Sequence, residues 1–306
     1  MIRKMLMLLL VAAMFLAATS LTMNDRDRGI LANDGNPIWN ANNFLVYYSV
    51  IKSQDVRRIT SYDLAIIDSL GVSNQILARL KASDTLLYSY VSVVSVEKSD
   101  TLKTGMMEEG DYLHINGERL YNTAYDCYYG DILSESYRNI LLRIIKERVV
   151  DRGFDGVFFD TMDDIEHLSD PKVRQAQFDG HLRLLEQIKE LYPNLSIIQN
   201  RAFNFYEQGA ARYLDGLLYE DLDYRSHSIS DYSKETFDSL VSVAKEFDNV
   251  ILAISNENRE ENHAFCIRHR WLYYYCPVSN NYLEFEEGID NVYLDHEADA
   301  SPDSGN

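Results

Sequence analysis

The chain has 306 residues, of which 48 are acidic and 29 basic, and its formal net charge is −19. This length suits one large α/β domain with a full hydrophobic core. The acidic excess and the lack of any basic stripe argue against nucleic acids and anionic surfaces as partners, and are compatible with a cationic ligand.

The N-terminus has the order of a secretory signal peptide. A basic start at Arg3-Lys4 precedes an uncharged, almost wholly apolar run over 5–18 and then small residues. Because the run is short for a membrane-spanning helix, we expect a signal peptide over 1–20 and a secreted, periplasmic or cell-surface protein. An uncleaved membrane anchor is the alternative. No other segment is long enough to cross a bilayer, so we expect no further membrane contact.

Composition divides the rest of the chain into three parts. Residues 21–40 are polar and rich in turn formers, which predicts a flexible lead-in. Residues 297–306 are small and acidic, which predicts a disordered tail. Between them, 41–296 contains no linker rich in Pro, Gly or Ser, so we expect one folded domain there, acting as a monomer.

Short apolar runs alternate with helical patterns along 41–296. The predicted strands are 44–49, 64–68, 85–96, 157–159, 195–200, 216–221, 250–254 and 271–276. The predicted helices are 73–81, 137–150, 177–191 and 234–247. Strand followed by helix, repeated about eight times, predicts an α/β fold of the (β/α)8 TIM-barrel type in a single domain. Residues 97–131 interrupt this rhythm with a polar, tyrosine-rich insertion, which we interpret as a lid or substrate platform.

The most informative stretch is 153–164. The apolar run 157–159 is too short for a helix and follows two glycines, as is typical of a strand buried on both faces in a parallel sheet. Asp160 leaves this strand at its carboxyl end, the end at which barrels of this type build their active sites. The alternative is that Asp160 only caps the following loop or helix.

Three predicted strands end in carboxylates, namely Asp68, Asp160 and Glu220. Residues far apart in sequence converge on one face of a barrel, and two carboxylates that flank a glycosidic bond are sufficient for its hydrolysis. The many tyrosines and Trp271 suit stacking on sugars, although ordinary core and rim packing is the alternative for them. The sequence has no nucleophile elbow, phosphate loop or dinucleotide fingerprint.

Neither a metal nor a cofactor is expected. The three cysteines and seven histidines show no metal-ligand spacing. A metal-dependent sugar deacetylase would need such spacing and is disfavoured. Cys266 and Cys276 could pair in an exported protein, and the odd count leaves at least one thiol unpaired.

The stretch 153–163 resembles the "GxDGVxxDxxD" block of the endo-α-1,4-polygalactosaminidase family of barrel glycosidases, to which the hydrolase domain of the Pel exopolysaccharide machinery is related. The resemblance spans about 44–280 and includes further blocks, which are Tyr90-Val91-Ser92-Val93, Tyr137-Arg138, Gln199-Asn200 and, over 215–220, one like the family's "DGvlxE". It implies a retaining, endo-acting glycosidase on a (β/α)8 barrel that cleaves α-1,4-linked galactosamine polymers. A cationic amino sugar is electrostatically consistent with the acidic chain.

The resemblance also implies roles for individual residues. Asp160 would be the nucleophile and Glu220 the general acid/base. The residues expected to contact substrate or support this pair are Tyr48, Asp68, Tyr90, Asp163 and Asn200. One position departs from the family's pattern: Val94 and Ser95 stand where the family has a glycine and a glutamate, with Glu97 retained. This change motivates an alternative from another functional class, a catalytically silent barrel that binds polysaccharide at the cell surface.

Overall fold

The computed structural model describes residues 35–225, 231–278, 281–285 and 291, with the backbone alone at 231–234 and 236. The predicted signal peptide, most of the predicted lead-in and the predicted acidic tail lie outside these residues. Contacts divide the chain into Met1–Pro37 and Ile38–Asn306, and the barrel belongs wholly to the second unit.

Eight parallel strands form one sheet in chain order, which confirms the predicted (β/α)8 barrel. They are β1 Phe44–Tyr47, β2 Leu64–Ile67, β3 Leu86–Ser92, β4 Gly156–Asp160, β5 Ser196–Asn200, β6 Gly216–Tyr219, β7 Val250–Ser255 and β8 Leu272–Tyr275. At the seam, the rings of Phe44 in β1 and Tyr274 in β8 lie 5.8 Å apart, centroid to centroid. No ladder joins these two strands within the described residues, so the barrel is nearly closed.

Helices follow the strands on the outside of the sheet. They are α1 Val56–Ile59, α2 Asn74–Leu80, α3 Thr101–Met106, α4 Glu135–Ile145, α5 Pro171–Leu191, α6 Phe203–Glu207, α7 Asp231–Phe247 and α8 Arg259–His269. A π-helical turn, Lys146–Val150, continues α4. Short 3-10 turns occupy Pro37–Asn40, Ser69–Gly71, Glu109–Asp111, Met162–Ile165 and Ala210–Tyr213. Helix α5 begins earlier than predicted because Asp170 caps it and Pro171 occupies its first turn.

The prediction of one continuous strand over 85–96 is wrong. Strand β3 ends at Ser92, and a separate strand, Ser95–Glu97, pairs with Cys127–Tyr129, which in turn pairs with Tyr121–Asn122. The chain leaves the barrel here because the backbone N–H groups of Val94 and Ser95 donate to the Thr161 hydroxyl, at 3.0 and 3.1 Å. The insertion also contains α3 and a small hairpin of His114–Ile115 with Glu118–Arg119.

Two Asp-Gly pairs fix strands at the amino-terminal end of the barrel. An Asp155 Oδ2 atom accepts from the Leu87 N–H at 2.8 Å, and Asp215 Oδ2 accepts from the Ile197 N–H at 2.8 Å. The glycine after Asp155 is required, because a Cβ at Gly156 would clash with the Tyr88 ring. These aspartates lie at the end of the barrel opposite to Asp160 and Glu220, the end whose residues serve stability rather than chemistry in barrels of this type.

The three cysteines are buried free thiols, so the pairing of Cys266 with Cys276 that the sequence left open is not formed. The Cys276 thiol instead donates to the Val278 carbonyl at 3.1 Å. Within the described residues, no helix combines the length and apolar character needed to cross a membrane.

Candidate active site

Three neighbouring strands place Asp160, Asn200 and Glu220 side by side. Asp160 and Asn200 are the last residues of β4 and β5, and Glu220 directly follows β6. The buried Asn200 Nδ2 donates to Asp160 Oδ1 at 2.9 Å and to Glu220 Oε2 at 3.0 Å. These two carboxylate oxygens are therefore no more than 5.9 Å apart, the sum of the two distances.

The backbone turns in the same way after each of these residues. Thr161, Arg201 and Asp221 follow them with φ values of 69°, 49° and 58°, in the left-handed region. Non-glycine residues adopt this region seldom, and for a β-branched residue such as Thr161 it is a strained conformation. The sharp turns end the strands abruptly and leave the preceding side chains at the mouth of the barrel.

Three tyrosines line one side of the pair. Ring centroids of Tyr48 and Tyr90 are 4.8 Å apart, and those of Tyr48 and Tyr282 are 5.5 Å apart. The Tyr282 hydroxyl donates to Glu220 Oε1, and the Tyr90 hydroxyl faces Asp160. Burial raises the pKa of all three phenols well above its usual value, and the neighbouring carboxylates raise it further. The phenols are therefore neutral donors at any pH near neutrality.

Glu220 has the environment of a general acid. Burial raises the pKa of its carboxyl group, and the nearby Asp160 raises it further. The hydrogen bonds from Tyr282 and Asn200 oppose this shift without cancelling it. A carboxyl with a raised pKa keeps its proton at a higher pH than an exposed glutamate, as a group that protonates a leaving oxygen must do.

Asp163 lies beside the pair and is engaged by a cation. Arg201 Nε is 3.5 Å from an Asp163 carboxylate oxygen, and its Nη1 is 3.6 Å from one of Asp221. Burial raises the pKa of Asp163, Arg201 lowers it, and Asp160 raises it. The mouth of the barrel thus carries several acidic groups and, in Arg201, a half-exposed positive charge between two of them.

Asp68 does not join the carboxylate pair. Its side chain caps the Ser69–Gly71 turn by accepting from the Leu70 N–H at 2.8 Å. It lines a separate cavity of about 180 Å³ next to Tyr90. The structure thus brings together all the other sequence-predicted site residues, Tyr48, Tyr90, Asp160, Asp163, Asn200 and Glu220. Asp68 is not part of the pair because its side chain caps the 3-10 turn that directly follows β2.

The unusual Val94-Ser95 loop is fixed between Thr161 and a buried lysine. Thr161 Oγ1 accepts from both backbone N–H groups of the loop, and Lys103 Nζ donates to the carbonyls of Ser92 and Ser95, both at 2.9 Å. Burial lowers the pKa of Lys103 to about 8. The loop that departs from the family's pattern is therefore tied directly to the residue after Asp160.

Sequence reasoning missed Thr161, Arg201 and Tyr282. Thr161 and Arg201 could have been considered because each directly follows a strand-end residue of the site. Tyr282 lies beyond β8 in a segment with no periodic pattern, and the sequence carries no local signal for it.

No group of three His, Cys, Asp or Glu side chains in the described part of the chain is arranged to hold a metal ion.

The comparisons with known proteins agree with this architecture. The model of glycoside-hydrolase family GH114 matches residues 32–282. The glycoside hydrolase domain of PelA from Pseudomonas aeruginosa superposes with a TM-score of 0.61 at 17% identity, over 77% of this chain and 94% of that one. Ega3 of Aspergillus fumigatus, in complex with galactosamine, gives 0.58 at 15% identity, over 81% and 95%. A search of curated proteins gave no match. At these identities the structural likenesses establish the fold.

Proposed function

Since the chain belongs to glycoside-hydrolase family GH114, we propose that it is a secreted, monomeric, retaining and endo-acting hydrolase of an α-1,4-linked galactosamine-type polysaccharide. The observation that carries the proposal is the pair of carboxylates, Asp160 and Glu220, joined through one Asn200 amide at the carboxyl end of the barrel.

The spacing of the pair supports retention of configuration. Retaining glycosidases hold their carboxyl groups about 5 to 5.5 Å apart, whereas inverting enzymes leave about 6.5 to 9.5 Å for a water molecule. The bound oxygens of Asp160 and Glu220 are at most 5.9 Å apart, the sum of their distances to Asn200, and this distance is nearer to the retaining range than to the inverting one.

The two carboxylates have different roles in this mechanism. Glu220, whose pKa is raised by burial, gives its proton to the glycosidic oxygen as the bond from that oxygen to the anomeric carbon breaks. Asp160 attacks the anomeric carbon in the same step and forms the glycosyl-enzyme. In the second step Glu220, now ionised, takes a proton from the water that displaces Asp160, which regenerates both groups.

The surroundings of the pair support an amino-sugar substrate. Asp163 and Asp164 lie next to Asp160; burial raises the pKa of both carboxyl groups, and the charge of Asp160 raises it further. An acidic mouth attracts a cationic polymer and strengthens its encounter with the enzyme. The structural neighbour Ega3 is described in complex with galactosamine, which supports the same sugar here. Tyr48 and Tyr90 offer aromatic surface of the kind that packs against sugar rings.

The test is product release from an α-1,4-linked galactosamine polymer by the wild type, Asp160→Asn and Glu220→Gln. We expect cleavage by the wild type and its loss in both variants. Asp151→Asn is the matched control, because Asp151 is an exposed carboxylate paired with Lys146 far from the pair and should not affect cleavage. NMR of the first products should show the α-anomer. Full activity in either active-site variant would refute the assignment.

A silent, polysaccharide-binding barrel is the second candidate, and the Val94-Ser95 loop favours it because this loop differs from the family's pattern beside Asp160. It predicts that the wild type binds the polymer without cleaving it and that Asp160→Asn binds equally well.

Sequencing the N-terminus of the mature protein tests secretion separately: a start near residue 21 supports the signal peptide, and a start at Met1 contradicts it.

A further inference from the structure

Tyr282 joins the seam of the barrel to the general acid/base. Its main-chain carbonyl accepts from the Tyr48 N–H at 2.7 Å, at the end of β1, while its hydroxyl donates to Glu220 after β6. The residue is only 8% exposed. Nearby, the Phe285 ring stacks on Tyr47 with centroids 4.2 Å apart, which holds the same segment against the seam.

The two oxygens of Glu220 have different donors. Tyr282 donates to Oε1 and Asn200 donates to Oε2. The phenol is buried with a pKa far above neutrality, so it does not itself exchange a proton during the reaction. A donor on a carboxylate favours the ionised form, and a donor held by a rigid ring also fixes the orientation of the group.

On the basis of the proposed two-step reaction, we propose that Tyr282 is a positioning residue that holds Glu220 and favours its ionised form, which assists the second chemical step at the expense of the first. The first step needs the protonated Glu220 and the second needs the ionised one. Removing the hydroxyl of Tyr282 should therefore leave Glu220 protonated up to a higher pH.

Other groups also face Glu220 and must stay unchanged in the test. They are Asp160 from β4, Asn200 from β5, Tyr48 from the end of β1 and the adjacent Asp221. The apparent pKa values in a pH profile therefore belong to the coupled group rather than to one residue. A substitution that removes one hydroxyl and leaves these four in place isolates the contribution of Tyr282.

The experiment compares the wild type and Tyr282→Phe by kcat/KM against pH, with an α-1,4-linked galactosamine polymer as substrate. We expect the basic limb, to which loss of a proton from the coupled group around Glu220 contributes in the free enzyme, to move up by about one pH unit. Tyr206→Phe is the matched control, because it removes a buried hydroxyl that donates to Asn249 at 2.8 Å, at the other end of the barrel. Its profile should coincide with that of the wild type.

A second variant tests the inference if Tyr282→Phe folds poorly. Site-specific 3,5-difluorotyrosine at position 282 keeps the shape of the side chain, makes the phenol a stronger donor and should move the same limb down. An unchanged limb in both variants, or a shift in the reverse directions, overturns the inference. We also assay Asp160→Asn and Glu220→Gln, which distinguishes the two proposals. If both variants are inactive while the limb is unchanged, only the proposed role of Tyr282 is wrong.

Discussion

Asp160 and Glu220 accept hydrogen bonds from the same nitrogen atom, the Nδ2 of Asn200. Two carboxylates at this separation repel each other, and the repulsion raises the pKa of the group that is ionised less readily. A shared amide compensates part of this repulsion and fixes the spacing of the two oxygens at the same time. We infer that the main role of Asn200 is to support the carboxylate pair rather than to contact the sugar.

Asn200→Ala should therefore lower kcat/KM by about 100-fold, the loss expected when reacting groups move by about 1 Å. Steady-state kinetics on the galactosamine polymer measure it. Asn122→Ala is the control, since that amide donates to the Tyr129 hydroxyl at 3.2 Å and accepts from the Ala124 N–H at 3.0 Å, both within the insertion. Activity of Asn200→Ala within twofold of the wild type would show that the spacing does not depend on this amide.

Thr161 should contribute to stability through its hydroxyl. Its Oγ1 accepts from the N–H groups of Val94 and Ser95, and Thr161→Val leaves both donors without this acceptor. Because each unsatisfied buried donor costs about 1 to 3 kcal/mol, loss of the acceptor for both should lower the free energy of unfolding by about 2 to 6 kcal/mol. Thr161→Ser keeps the acceptor and should stay near the wild type. Urea unfolding checks both, and equal stability of the two variants would contradict the prediction.

The sequence predicted the barrel because each β strand is a short apolar run and the longer helices have helical spacing, both of which are local properties. It also predicted that Asp160 and Glu220 lie at the carboxyl end of the barrel, as the structure shows, since each comes at the end of a buried parallel strand. The path of the loop at Val94 could not be predicted from local sequence patterns, because its N–H groups donate to Thr161, which is more than 60 residues away in the sequence. The same holds for Tyr282, whose contact with Glu220 exists only once the seam has formed.

His181 should make the fold sensitive to acid. Its imidazole is fully buried between the rings of Phe159 and Phe205, and burial lowers its pKa from 6.5 to about 3, with Gln199 opposing the shift. The folded state therefore binds fewer protons than the unfolded chain between about pH 3 and pH 6.5, so stability falls as the pH falls through this window. By pH 5 the loss from this group should be about 2 kcal/mol.

The variant His181→Met tests this by urea unfolding at pH 7 and pH 5. It should lose less stability than the wild type over this interval. His167→Met makes the same change at an exposed histidine and is the control for the substitution itself. Identical pH slopes for the wild type and His181→Met would show that this imidazole does not limit stability in acid.

Arg201 should set how strongly the mouth of the barrel attracts a cationic chain. It lies 3.5 Å from Asp163 and 3.6 Å from Asp221 and is about 40% exposed, so it offsets part of their negative charge. Arg201→Gln removes that offset. Two unit charges about 7 Å apart in water, such as Arg201 and a cationic sugar, repel each other by roughly 0.6 kcal/mol. Removing this repulsion should lower KM for the galactosamine polymer about threefold at low salt and less at high salt.

Arg143→Gln provides the matched control for this change. It alters the net charge of the protein by the same amount, but Arg143 lies on α4 and pairs with Glu147 at 2.7 Å, away from the barrel mouth. Its KM should stay near that of the wild type. A fully N-acetylated polymer has no cationic groups, so its KM should not respond to Arg201→Gln. An equal response of the charged and neutral polymers would mean that Arg201 acts through shape rather than charge, and would weaken the case for a cationic substrate.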